Sequence, residues 1–236
     1  VEGNRALRRT VARCYPRPVR YAYEPLPEGF ESDRDAFPCQ MRTCGYDRQQ
    51  YSTLLLDTYA PEDAALILVM DTDVCIRAQL SWEDILDPET MRPLVIGITS
   101  GRFHEGDAAV WGSSYIALDF MAYFPVAVWR RDFARCRRRF VKKMKAESFH
   151  AAFYRFATTR SYSQFHLLLE VALRSRRDDY VLCVPGREPA QVSGITADQR
   201  NCLWWVYHTK DVHTCEWNQG ICSSRLPVPD GCPSTE

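Results

Sequence analysis

The chain has 236 residues, 46% hydrophobic and 25% charged, an ordinary globular composition that excludes a collagen-like, coiled-coil or disordered polypeptide. Lys plus Arg (30) balance Asp plus Glu (30), so any site for a polyanion has to be local rather than a property of the whole surface. No run approaches the roughly 20 apolar residues that span a bilayer, and Val-Glu-Gly-Asn-Arg at the start is no signal peptide and lacks an initiator Met; the chain reads as soluble and as a piece of a longer one.

In chain order, residues 4–14 pattern as a short helix and Val19 to Tyr23 as a strand, followed by a loop rich in Pro, Gly and charge from Pro25 to Gly45. Residues 46–59 place Tyr51, Leu54, Leu55 and Thr58 on one face at helical spacing, and Ala60-Pro61 stops that helix. Ala64 to Met70 is a continuous apolar run of strand length, the pattern of a strand buried on both faces of a parallel sheet. Pro93 to Ile98, Phe124 to Trp129 and Tyr180 to Val184 are further buried strands. Between Arg131 and Ala146, Phe133, Cys136, Phe140 and Met144 form an apolar stripe. Residues 163–175 supply another amphipathic helix through Phe165, Leu168, Leu169 and Ala172. Strands alternating with helices predict an α/β sandwich with a mainly parallel central sheet flanked by helices.

Ten cysteines is a high number for a cytosolic enzyme, and four fall in the last 35 residues. The spacing of Cys202, Cys215, Cys222 and Cys232 contains no Cys-x2-Cys pair, which argues against a zinc ribbon. Disulfides in this tail, and at Cys39 and Cys44, are favoured over scattered free thiols and place the protein in the secretory pathway. The expected organisation is a main domain over 1–200 with a cysteine-rich segment, 201–236, packed on it.

The apolar run at 64–70 ends abruptly on Asp71-Thr72-Asp73. In open α/β sheets ligands sit outside the carboxyl ends of strands, and two carboxylates one residue apart suit a hard divalent cation that bridges to phosphate oxygens. On its own an Asp-x-Asp is as well explained as two solvated acids at a strand end.

More specific is the ordered set Gly45-Tyr46-Asp47-Arg48-Gln49-Gln50-Tyr51, Asp57-Thr58-Tyr59, Leu66 to Asp73, Phe120-Met121-Ala122-Tyr123-Phe124-Pro125 and Tyr162-Ser163-Gln164-Phe165. Over roughly residues 45–185 this set resembles the nucleotide-diphospho-sugar transferases of the GT-A fold, in particular a branch with a Tyr-x-Arg-Gln-Gln helix before the metal motif. The resemblance implies a GT-A, Rossmann-like sandwich and a glycosyltransferase. Its donor would be a nucleotide-diphosphate sugar and its acceptor a hydroxyl on a glycan or glycoprotein. Mn2+ or Mg2+ would sit on Asp71 and Asp73, with Arg48, Gln49 and Gln50 on the donor side. It also implies the Golgi lumen, with any membrane attachment through a tether outside this chain. Two departures bear on activity: Thr53 stands where many relatives carry Lys, and Gln164 where many carry Glu. The family's first strand and helix are expected to be missing from these residues.

Such enzymes often take a third metal ligand from a C-terminal His, which makes His208 and His213 candidates beside the alternative of surface or core histidines. His104, in a Gly-rich loop after a strand, either faces the donor sugar or is solvated. An inverting reaction needs a general base, and Asp107, Asp119 and Glu170 are acids in suitable segments, with Gln164 at the family's catalytic position. A retaining reaction needs none. Trp111 is the tryptophan placed nearest a carbohydrate, whereas Trp129 reads as core. Arg130 to Lys145 holds nine basic residues, either a solvated helix face or a patch for phosphate, lipid or an acidic acceptor. It carries no nucleic-acid reading motif, and no nucleic-acid partner is expected. Two other functions stay open. One is a catalytically inactive GT-A-like binding module. The other is a haloacid-dehalogenase-like phosphatase, opposed by Cys75 where that family needs Thr or Val.

Overall fold

A computed structural model describes residues 44–70, 74–76, 81–98, 104–112, 118–121, 124–157, 162–184, 191–192, 195–196 and 214–216. The helix expected over 4–14 and the strand over Val19–Tyr23 lie outside these residues.

The helix expected over 46–59 forms as two pieces, α1 (Cys44–Thr53) and α2 (Leu56–Tyr59). The break has a local cause. The Ser52 and Thr53 hydroxyls bond back to the carbonyls of Arg48 and Gln49 (2.9 and 2.8 Å), competing with the helical ladder. Leu54 and Leu55 then close tighter three-residue turns onto Tyr51 and Ser52. Tyr51 and Leu54 are buried as the periodicity requires, but Thr58, beyond the break, is exposed.

The apolar run at 64–70 forms β1 (Leu66–Val69), and here the burial expectation is corrected. β1 pairs antiparallel with β4 (Val126–Trp129), from Leu66 opposite Trp129 to Val69 opposite Val126, and Leu68 is 40% exposed. The Ile67 and Val69 side faces the main core, while on the other side Leu66 packs, partly buried, against Ile85, Leu86 and Ala127. A continuous apolar run fixes strand formation but not whether one face or two are covered. After β2 (Val74–Ile76) and a 3-10 turn at Trp82–Asp84 comes β3 (Leu94–Ile96), which pairs in parallel with β5 (Val181–Cys183). β2 pairs antiparallel with β8 (Thr214–Glu216), setting Cys75 opposite Cys215, and β6 (Gln191–Val192) pairs antiparallel with β7 (Ile195–Thr196). The described strands thus pair two by two, one pair parallel and three antiparallel.

Residues 104–107, expected in a Gly-rich loop, instead open a helix, α3 (His104–Trp111). α4 (Arg130–Met144) follows β4 without a linker, and α5 (Phe149–Ala157) and α6 (Gln164–Ser175) complete the helical layer. On α4 the expected stripe holds: Phe133, Cys136 and Phe140 are buried, and Met144 packs against the core partly buried. α6 departs from expectation in the opposite sense to β1. Every residue from Gln164 to Leu173 is buried, so it is a central helix rather than an amphipathic one.

Aromatic rings weld α1, α4 and α5 together. Tyr51 stacks on Phe149 at 5.4 Å and meets Phe153 edge-on at 5.2 Å, Phe140 meets Phe156 at 5.1 Å, and Phe156 meets Tyr162 at 4.9 Å. Each fully buried ring contributes about 1.5–3 kcal/mol through removal from water, so this cluster outweighs any surface ion pair in the fold. Arg137 adds a half-buried ion pair to Asp57 and a 2.6 Å bond to the Leu54 carbonyl, fastening the α1–α2 break to α4. Gly97 follows β3 because a Cβ there would stand 2.9 Å from Leu118 and 3.1 Å from Phe120.

Candidate functional site

The buried face of α1 carries Asp47, Gln50, Tyr51 and Leu54, one turn apart, and two of these are polar. A buried polar group is stable only when hydrogen-bonded, so both must find partners from another segment. They find them 115 and 114 residues away. The Tyr162 hydroxyl donates to Asp47 Oδ1 at 2.9 Å, and the Gln164 backbone N–H donates to Gln50 Oε1 at 2.6 Å. Gln164 opens α6, whose first N–H groups lack helical acceptors; Gln50 supplies one, and the N-cap Ser163 another through its Oγ to Phe165 N (3.3 Å).

A third segment joins at the same place. Ser163 Oγ donates to Met121 Sδ at 3.0 Å, and the buried His166 ring meets Phe120 edge-on. His166 Nε2 lies 3.2 Å from the Phe120 N–H and 3.3 Å from Asp119 Oδ1, which also accepts from Met121 N at 2.8 Å. One ring nitrogen cannot accept from Phe120 and donate to Asp119 at once, so the contact suits either tautomer and changes partner with the proton. The segment then runs through a cis Phe124-Pro125 bond into β4, where Val126 pairs with Val69, two residues before Asp71.

Gln164 Oε1 is the atom of this cluster that stands out chemically. The residue is 1% exposed, and Oε1 has no hydrogen-bond partner among the described residues. A buried acceptor in that state costs about 1–3 kcal/mol unless something pairs with it. Glu170, the other candidate on α6, is buried and ion-paired with Arg174 one turn later. Arg48 and Gln49 are half-buried on α1, and Gln50 is committed to capping α6. Asp107 falls within α3, with its side chain outside the described set. Asp71, Asp73, His208 and His213 lie outside the described residues, and among the described residues no group of three or more His, Cys, Asp or Glu could hold a metal ion. Sequence reasoning missed His166 and the Asp47–Tyr162 pair. The available signal was a polar residue at each core-facing position of a helix, Asp47 and Gln50, which demands distant partners.

Two cavities adjoin these elements. One, of about 20 Å³ between β3, Phe120, Phe124 and Leu169, has room for roughly one water. The other is an open groove of about 810 Å³ between α3 and α4, floored by Trp111 and walled by basic side chains. Among the described cysteines Cys183 is disulfide-bonded, and Cys136 is a free, buried thiol pushed up to about 12 by burial.

Compared with family models, curated proteins and solved structures, the chain matches none.

Proposed function

We propose that the chain is a metal-dependent glycosyltransferase of the GT-A class, moving a sugar from a nucleotide-diphosphate donor to a hydroxyl on a glycan or glycoprotein. The observation that carries this reading is the meeting of the resembling segments. The Tyr46–Tyr51 helix, the Phe120–Pro125 segment and the Tyr162–Phe165 segment share one hydrogen-bonded cluster, and β1, which leads into Asp71-Thr72-Asp73, pairs beside it. Motif matches that arose by chance would have no reason to converge.

The donor set fits the implied ion by its chemistry: two carboxylates one residue apart, directly after a strand, offer the hard oxygens that Mn2+ or Mg2+ prefers. When bound, the ion neutralises charge on the leaving diphosphate. In the transfer itself the acceptor oxygen bonds to the anomeric carbon, the bond from that carbon to the diphosphate oxygen breaks, and the nucleoside diphosphate leaves with the electron pair. The acceptor proton passes to a base or to solvent. In this reading Asp47, Gln50 and Gln164 hold the site's walls in register and act as positioning residues. The disulfide at Cys183 supports an oxidising compartment, in line with the Golgi lumen.

The test is thermal unfolding with UDP, GDP, CDP or ADP, each with and without Mn2+, on the chain and on the double variant Asp71→Ala/Asp73→Ala. The expected result is a rise in Tm with one diphosphate, requiring metal and lost in the variant, because a ligand that binds only the folded state stabilises it. Shifts that persist without metal or in the variant would sink the proposal.

A further inference from the structure

The groove between α3 and α4 has no part in the transferase reading, and its construction points to a ligand. Its walls are Arg135, Arg138, Arg139, Lys142, Lys143 and Lys145, all from α4 and its C-cap. Ten residues at 1.5 Å rise spread these cations over about 15 Å, too long for a single phosphate and suited to several anionic groups in series. Like charges at this density repel one another, and among the described residues only Arg135 of the six has an ion-pair partner, Asp132. The floor supplies a second, independent sign. Trp111 is 7% exposed, and its indole N–H is buried without a hydrogen-bond partner among the described residues, a state that buried donors rarely keep. Arg139 lies over that ring at 5.1 Å. The ring and the wall cations therefore line one and the same groove.

We propose that this groove binds a soluble carbohydrate or cyclitol bearing several phosphate or sulfate groups. Its volume of about 810 Å³ falls in the range of small-molecule ligand sites. The lining favours such a ligand over the other polyanions. A membrane-binding helix sets apolar side chains beside its charges, whereas on α4 Phe133, Cys136 and Phe140 are buried in the core and Val141 and Met144 pack against it partly buried. Single-stranded nucleic acid needs exposed aromatic platforms for its bases, and the groove's aromatic ring is buried under Arg139. Guanidinium groups, three of the six cations, favour forked contacts to oxyanions. The proposal stands on α3 and α4 alone and does not require the transferase reading.

The experiment titrates the chain with inositol hexakisphosphate and, separately, with a fully sulfated heparin octasaccharide, without metal. Controls are neutral maltooctaose, phosphatidylserine vesicles and a single-stranded oligonucleotide. The two polyanions separate a phosphorylated from a sulfated ligand. Saturable binding of at least one is expected, weakening steeply with salt, with none to maltooctaose. The charge reversal Arg138→Glu/Lys142→Glu, at two exposed positions, should weaken it at least tenfold while leaving Tm within a few degrees. Trp111→Phe, which keeps an aromatic ring but removes the indole N–H with part of the floor, should weaken it roughly threefold to tenfold, on the scale of one lost hydrogen bond. Absence of binding to both polyanions, undiminished binding by the charge-reversed chain, or tighter binding to vesicles or the oligonucleotide overturns the proposal. Because Asp71 and Asp73 are intact throughout and no metal is added, failure here leaves the transferase test untouched.

Discussion

The two faces of α4 solve opposite problems with one helix. The inner face buries Asp132, Phe133, Cys136 and Phe140, and each of its two polar groups meets a fixed partner. Asp132 accepts from the Tyr180 hydroxyl at 2.6 Å and pairs with Arg135, and the Cys136 thiol points to the Leu167 carbonyl at 3.5 Å. The outer face crowds Arg138, Arg139, Lys142 and Lys143 along an open groove. Inside, polar groups are few and over-determined; outside they are many and interchangeable as far as folding is concerned. The difference teaches that the helix takes its stability from the buried side and from paired charges such as Arg137–Asp57, which leaves the outer cations at 138, 139, 142 and 143 free to serve binding.

The largest expected effect separates the faces by pH. Burial pushes the Cys136 thiol up to about 12, and burial followed by the neighbouring Asp132 raises the Tyr180 phenol well above its ordinary value. Both groups are therefore neutral in the folded chain at pH values where the unfolded chain has already lost those protons. Folded pKa values above unfolded ones mean stability that is complete below about pH 9 and lost as pH rises toward 12, at about 1.4 kcal/mol per pH unit for each group titrating only in the unfolded chain. Urea midpoints should be level from pH 7 to 9 and then fall, and Cys136→Ala should flatten the first part of that fall. An alkaline limb unchanged in Cys136→Ala would break the comparison, because the inner face would then not be what titrates.

Next in size is the removal of one inner polar group. Asp132→Ala leaves the Tyr180 hydroxyl buried with the Trp129 N–H donating to it at 3.0 Å but no acceptor for its own proton. It also strips the first turn of α4 of its acidic residue. A loss of about 3 kcal/mol is expected in urea unfolding. Arg138→Ser, six residues along the same helix on the outer face, should stay within about 0.5 kcal/mol of the unaltered chain. Comparable losses from the two would erase the distinction.

How much of this was legible beforehand follows the same division. The apolar stripe of α4 and the positions of β1, β3, β4 and β5 were read from local pattern, because a period of 3.6 or a short apolar run is a property of neighbours in sequence. The number of covered faces was not. Leu68 is as apolar as Ile67, and only what packs on each face of the strand decides which of the two meets solvent. α6 looked amphipathic because Gln164, His166 and Glu170 are polar, yet all three are buried, His166 against Asp119 and Glu170 against Arg174, in surroundings that sequence spacing cannot show. The break after Thr53 was missed for a smaller reason: hydroxyls at 52 and 53 bonding back to the helix weigh less in a periodicity than the leucines that follow them. Of the candidate site, the segments were legible and their meeting was not. That meeting depends on Asp47 and Gln50 reaching Tyr162 and Gln164 across more than a hundred residues.

The smallest expected effect tests whether the two faces can be moved in opposite directions by one substitution. Lys145 ends α4 in the left-handed region, at φ 48°, with its N–H on the carbonyls of Lys142 and Val141. A residue with a Cβ is strained there, and glycine is not, so Lys145→Gly should stabilise the chain by about 0.5–1 kcal/mol. The same change removes one of the six cations from the groove and should weaken polyanion binding severalfold. A lysine kept where glycine would fold better is a cost that binding can explain and packing cannot. If Lys145→Gly stabilises the chain and leaves the affinity for inositol hexakisphosphate and the heparin octasaccharide unaltered, the C-cap charge has no share in the groove. The binding face then ends at Lys143.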